Sequence, residues 1–327
     1  MAACFAIILL CKLVSAAPPE AENLYTLADF DAWVGAVAFS PDGRTLAAAD
    51  GAAVRLCEAA TGKTESTLAG HADTVCALAF SPNGSLLASG GFDHSVRLWN
   101  LQHRGDPLVL EGHRGAVMAV AFSPNGRHLA TGGIDGTIRL WSGATGRHLA
   151  TLAAHRTWVN SLAYSRDGAR LASGSSDGAV KLWDTETPAD RGGYQELAQF
   201  EAEARDGEIR SVVLAADGRW LAAGTRYGIV RVWDTATREP LAALAAQPAD
   251  VWSVALSPDG RLLAAAGSEW KRPGEVTLWN TATWREPGRL PHAGEVLSLA
   301  FSSDGRLLAC GCWNKSLTVW RLAPDGK

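Results

Sequence analysis

Val75-Cys76-Ala77-Leu78-Ala79-Phe80, then Ser81-Pro82-Asn83-Gly84, then Leu86-Leu87-Ala88-Ser89-Gly90, then Ser95-Val96-Arg97-Leu98-Trp99: the reading of this run decides the fold. Its apolar stretches are short, alternate with period two and show no helical spacing, so they predict strands. Between the first two, proline fixes φ at one corner and Asn-Gly accepts positive φ at the next, which is hairpin chemistry. A fourth strand falls in the connection between such runs, as in Thr64 to Leu68.

The run recurs along the whole chain. The turn returns as Ser40-Pro41-Asp42-Gly43, Ser123-Pro124-Asn125-Gly126, Ser165-Arg166-Asp167-Gly168, Ala215-Ala216-Asp217-Gly218, Ser257-Pro258-Asp259-Gly260 and Ser302-Ser303-Asp304-Gly305. Trp99, Trp141, Trp183, Trp233, Trp279 and Trp320 each close an apolar-x-Leu/Val-Trp stretch, and Cys57 after Val54-Arg55-Leu56 takes the place of a seventh. From Cys57 to Trp320 the steps are 42, 42, 42, 50, 46 and 41 residues. A period of that size means copies of one small unit, each of which buries a core only against its neighbours. The 327 residues, long enough for two domains by length alone, are therefore one repeat domain.

Composition narrows the function classes. The chain is 47% hydrophobic and 20% charged, as folded proteins are. Its net charge of -4 supplies no basic face for nucleic acid, so no nucleic-acid partner is expected. The cysteines, at positions 4, 11, 57, 76, 310 and 312, form no Cys-x-x-Cys pair. They read as small apolar core residues, and neither a metal site nor a cofactor is expected. Ala2 to Cys11 is an apolar run of signal-peptide length followed by Val14-Ser15-Ala16, but no basic residue precedes it and Lys12 follows directly. It is too short to span a bilayer. Residues 1–22 read as an apolar extension, either an export signal, a loosely packed segment or a misplaced start, and 23–327 as the repeat domain. The cytoplasm is preferred to export.

A polar set recurs in three copies at identical spacing: His71, Ser89, Asp93 and Trp99; His113, Thr131, Asp135 and Trp141; His155, Ser173, Asp177 and Trp183. His, Ser and Asp together invite a hydrolase reading. A hydrolase has one such site, however, and here the trio occurs three times, each beside an indole N–H that needs an acceptor when buried. The set therefore reads as structural and no catalytic residue is assigned. The last copy keeps His292 and Trp320 but has Cys310 and Asn314 at the hydroxyl and acid positions. Copies one, five and six have Phe30, Arg205 and Gln247 near the His position and Ala48, Ala223 and Ala265 at the hydroxyl, so these copies are expected to rely on apolar packing.

Gly70-His71, Gly112-His113, Trp183-Asp184 and Trp233-Asp234 resemble the Gly-His and Trp-Asp signatures of the WD-repeat (WD40) family, and the resemblance covers residues 24 to 321. It implies an all-β fold: one seven-bladed β-propeller of four-stranded antiparallel blades. In that family the sequence repeat is offset from the blade. Closure then requires Leu24-Tyr25-Thr26-Leu27 to pair with the blade formed by about 290 to 321, which hides edges an open sheet exposes. Alanine- and arginine-rich propellers of this kind also resemble stand-alone bacterial ones.

Function must be argued from a site. In related propellers the binding rim flanks the Val/Ile that starts each inner strand and includes the residue before the turn acid. Those positions hold Trp33, Thr74, Cys76, Met118, Trp158, Asn160, Glu208, Arg210, Asp250, Trp252, Glu295 and Leu297, then Phe92, Ile134, Ser176, Arg226 and Trp313. Trp33, Phe92, Met118, Ile134 and Trp158, with Trp313 beside them, are expected to form an apolar arc. Glu208, Arg210, Arg226 and Asp250 are expected opposite as a charged arc, and Trp252 is a fourth tryptophan on the rim. Interface hot spots favour Trp, Tyr and Arg. The expectation is a monomeric, non-catalytic scaffold that binds a protein or peptide on this rim. The alternatives are an enzyme using the central channel, for which the sequence offers no constellation, and a detached sensory or regulatory module. Insertions at 187–208 and 267–275, the latter with Trp270, are further candidates.

Overall fold

The computed structural model describes residues 21–103, 105–185, 194–246, 250–267 and 273–323. The N-terminal extension up to residue 20, Gln247, Trp270 and part of both insertions lie outside the described residues.

The Ser-Pro-Asn-Gly turns work through their serines. Ser81 Oγ donates to Asn83 Oδ1 at 2.8 Å and accepts from the Leu86 amide at 2.9 Å, while the Gly84 amide closes onto Ser81 O at 2.8 Å with Gly84 at φ 70°. Positive φ at that corner is what glycine accepts without strain. The turn folds Val75–Phe80 back on Leu86–Gly91, to which Val96–Asn100 and then Leu108–Leu110 add. Among the described residues there are seven such sheets, each four-stranded and antiparallel, in the order of the sequence reading.

The seventh sheet closes the ring. Ala21–Leu27 lies along Leu317–Leu322 with Ala21 opposite Leu322 and Leu27 opposite Leu317. The strand thus begins two residues inside the stretch read as an extension. First strands of successive sheets contact one another all the way round, with Val37–Phe39 meeting Val296–Phe301.

Second strands are buried on both faces, which explains their Ala, Ser and Gly content. A Cβ on Gly90 would stand 2.7 Å from Val117 of the next blade, and one on Gly132 would stand 2.6 Å from Val159. Each of the seven apolar cores therefore lies between two blades. Ala88, Val96, Leu98 and Leu110 of the second blade, for example, pack on Val117, Phe122, Leu129 and Trp141 of the third. Stability in such a ring is a sum of neighbour interfaces.

Candidate functional site

Inside the blades, the three polar sets form hydrogen-bonded chains. Trp99 Nε1 donates to Ser89 Oγ at 2.8 Å, Ser89 Oγ lies 2.7 Å from His71 Nε2, and His71 Nδ1 lies 2.9 Å from Asp93. Trp141, Thr131, His113 and Asp135 repeat this at 2.9, 2.8 and 3.2 Å, and Trp183, Ser173, His155 and Asp177 at 2.9, 2.8 and 3.2 Å. Burial lowers all three imidazoles below the usual histidine range, against the charge of their aspartates. Burial also pushes the Asp135 carboxyl up. Hydrogen bonds from the Arg114 amide and from the Thr137 hydroxyl and amide, with His113, outweigh it and hold the group at about 2. A neutral imidazole with Nδ1–H on an ionised aspartate and Nε2 accepting from the hydroxyl satisfies every group in the chain. With each ring nitrogen occupied, none of the three is set up as a free base.

The other blades solve the same problem differently, and the expectation of apolar packing alone is corrected in two of them. In the first, Arg55 pairs with Asp50 at 2.7 Å and lies over the Phe30 ring at 4.2 Å, while Asp50 accepts from the Asp31 amide at 2.7 Å. In the fifth, Arg231 pairs with Asp206 and Glu203, both at 2.7 Å, and the Asp206 side chain is 1% exposed. Both acids belong to the 187–208 insertion, so its described end is a structural part of the blade. In the seventh, Trp320 Nε1 donates directly to His292 Nε2 at 3.1 Å, because Cys310 offers no comparable acceptor.

The rim residues converge on a cavity of about 650 Å³. The residue after the buried Val or Ile in each blade lines it: Gly35, Cys76, Met118, Asn160, Arg210, Trp252 and Leu297. A space touched by the same position of all seven blades lies on the propeller axis. Trp33, Trp158, Asp250, Glu295 and Trp313 complete its wall. Trp33 and Trp313 stack, with ring centroids 5.7 Å apart and planes at 20°. Trp313 and Trp158 are 51% and 45% exposed. Gly35 is the lining residue that attention to large side chains missed. It sits in the register of the other six, and a Cβ there would come within 1.9 Å of the Trp33 ring, so the indole lies where it does only over glycine.

Six rim positions stand elsewhere, Thr74 and Ser176 among them. Phe92 is 40% exposed outside the cavity lining, and Ile134 lies over Gly115. Glu208 and Arg226 sit behind the wall, paired at 2.8 Å. The charged arc is largely self-satisfied: Arg210 pairs with Glu208 at 2.9 Å, approaches Asp250 at 3.6 Å and lies 4.6 Å above the Trp252 ring. Trp252 Nε1 donates to Glu295 at 2.8 Å. Burial raises the Asp250 and Glu295 carboxyls above the usual range. Burial also pushes the Cys76 thiol up to about 12, which keeps it un-ionised. Of the other tryptophans off the beat, Trp220 and Trp284 meet edge to face at 5.3 Å beside the core between blades five and six. Among the described residues no group of three or more His, Cys, Asp or Glu is placed to hold a metal.

The family model "WD domain, G-beta repeat" matches seven segments, 21–56, 62–100, 107–142, 146–184, 195–234, 238–280 and 285–321. The chain belongs to the WD40 repeat family. Its similarity to individual WD40 and other curated proteins is partial. It is 35% identical over 98 residues to WD repeat-containing protein VIP3 of Arabidopsis thaliana, covering 26% of this chain and 30% of that one. It is 40% identical over 60 residues to Striatin-4 of Homo sapiens, 18% of this chain and 8% of that one. To the Notchless protein homolog of Arabidopsis thaliana it is 57% identical over 35 residues, 11% of this chain and 7% of that one. The matches thus span less than a third of each relative. These relatives are eukaryotic and lend no support to the bacterial resemblance. Among the described residues of this WD40 chain no helix is long and apolar enough to cross a membrane.

Proposed function

We propose that the protein is a non-catalytic interaction scaffold that docks a protein or peptide over the axial pocket. The observation that carries this reading is the group of Trp33, Trp313 and Trp158 at the mouth of a preformed cavity. The inter-blade cores hold the propeller together without large exposed indoles there, whereas binding anchors are typically Trp, Tyr or Arg seated beside a pocket. Membership in the WD40 family supports the same reading, and the buried, mutually saturated His-Asp pairs speak against hydrolysis. We read the protein as monomeric by itself and without a nucleic-acid partner.

Affinity capture with the wild type and with Trp158→Ala plus Trp313→Ala tests this. An anchor tryptophan is worth about 2 kcal/mol or more, so specific partners should weaken by roughly 30-fold or more while the melting curve stays in place. An identical partner list from both proteins sinks the proposal.

A further inference from the structure

The axial pocket carries more carboxylate than its own cations neutralise. Glu208, Asp250 and Glu295 stand at or just behind its wall against Arg210 and Arg226. Arg226 is committed to one oxygen of Glu208 and Arg210 to the other, with the Arg210 guanidinium carbon 4.6 Å from the Trp252 ring centroid. What remains for Asp250 is the 3.6 Å approach of Arg210 Nε, and Asp250 Oδ1 is buried without a hydrogen-bond donor. The Glu295 side chain receives the neutral indole N–H of Trp252, and among the described residues no cation pairs with it. Trp33, Trp158 and Trp313 line the same cavity, with Trp313 next to Glu295, whose carbonyl accepts the Trp313 amide at 2.8 Å. Indole faces are electronegative, so they attract cations and disfavour anions.

Resting on the docking reading above, we infer that the pocket takes one cationic side chain of the partner, a guanidinium or an ammonium. Its charge lies toward Asp250 and Glu295 and its apolar stem along Trp33, Trp158 and Trp313. An acidic guest would meet two carboxylates, with Arg210 paired to Glu208 and only its buried Nε, 3.6 Å from Asp250, lacking a hydrogen-bond acceptor. An apolar guest would cover the Asp250 and Glu295 carboxyls further while offering them no donor, which costs free energy that a charged donor recovers. Burial has already raised both carboxyls, and a cation held between them removes that penalty.

The test titrates the full chain with N-acetyl-arginine amide, its uncharged counterpart N-acetyl-citrulline amide, N-acetyl-leucine amide and N-acetyl-glutamate amide. The indole N–H signals of Trp33, Trp252 and Trp313 are followed by NMR. The arginine amide should give saturable shifts with about tenfold tighter binding than the citrulline amide. That gap should close in Glu295→Gln and in Asp250→Asn. Because the charged and uncharged probes are compared on the wild type, the result does not depend on either variant folding. Equal binding of the citrulline or leucine amide overturns the inference and leaves the docking reading standing. Preference for the glutamate amide overturns it and moves recognition to Arg210. No saturable shift with any probe overturns it as well, and the tryptophan capture experiment then judges the docking reading by itself.

Discussion

Replacing Thr131 by valine keeps the shape of a fully buried side chain and removes one oxygen. That oxygen serves two buried groups, accepting from Trp141 Nε1 at 2.9 Å and contacting His113 Nε2 at 2.8 Å. A buried donor or acceptor left without a partner costs about 1 to 3 kcal/mol, so two orphans set a ceiling of roughly 6 kcal/mol. The seventh blade shows how much can be recovered: there the indole reaches the imidazole directly at 3.1 Å. If Trp141 makes the same move, both groups are satisfied at the expense of repacking. We expect a net loss of about 2 kcal/mol. Urea unfolding of the full chain, read by tryptophan fluorescence, measures this for Thr131→Val, Trp141→Phe and the double variant at a common m-value. The double-mutant cycle should return a coupling of about 1 kcal/mol. A loss below about 0.5 kcal/mol, or simple additivity, refutes the hydrogen-bonded chain as a source of stability.

Other predictions concern acid, closure and the ion pairs. Burial lowers His292 from the ordinary 6.5 to about 4, so it binds protons in the unfolded chain before the folded one. Its contribution, about 3 kcal/mol, is complete above pH 6.5 and disappears as pH falls toward 4. His292→Gln should therefore flatten the stability profile between those values, and an unchanged slope contradicts the assignment. Deleting residues 1–30 strips the partner from Leu317–Leu322; amide exchange there should accelerate and the melting temperature fall, whereas a fully stable truncation refutes closure in this register. Arg231→Met leaves Asp206 buried and unpaired at a cost of about 3 kcal/mol, and adding Asp206→Leu should restore most of it. A harmless single change would show the pair to be dispensable.

The architecture was legible because every copy repeats its Asn/Asp-Gly turn and its small second strand, six of the seven keep the turn serine and six the tryptophan, and because the registry of Val75, Val117 and Val159 fixes which neighbours face the axis. The same registry located most of the pocket wall. It failed at Gly35, whose contribution is the room it leaves for Trp33 rather than any atom of its own. It also missed the Asp50–Arg55 and Asp206–Arg231 pairs, because a carboxylate that reaches its partner from a neighbouring loop shares no fixed spacing with the His it replaces. The charged arc was read as available because pairing among Glu208, Arg210 and Arg226 is a matter of side-chain reach across the open end of one hairpin, which residue positions alone do not give.

Pairing Ala21–Leu27 with Leu317–Leu322 joins segments separated in sequence by nearly the whole propeller. During translation the earliest strand must wait, its edge uncovered, until nearly the whole propeller has left the ribosome. Blades one to six need only sequence neighbours to form, so the contact of greatest separation comes last and governs the slowest folding step. A nascent chain halted before residue 317 would carry two open edges, at Ala21–Leu27 and in its last sheet. Such a chain is a substrate for chaperones or for mispairing with another copy. The seam that completes the ring thus doubles as a check that the final blade has been made.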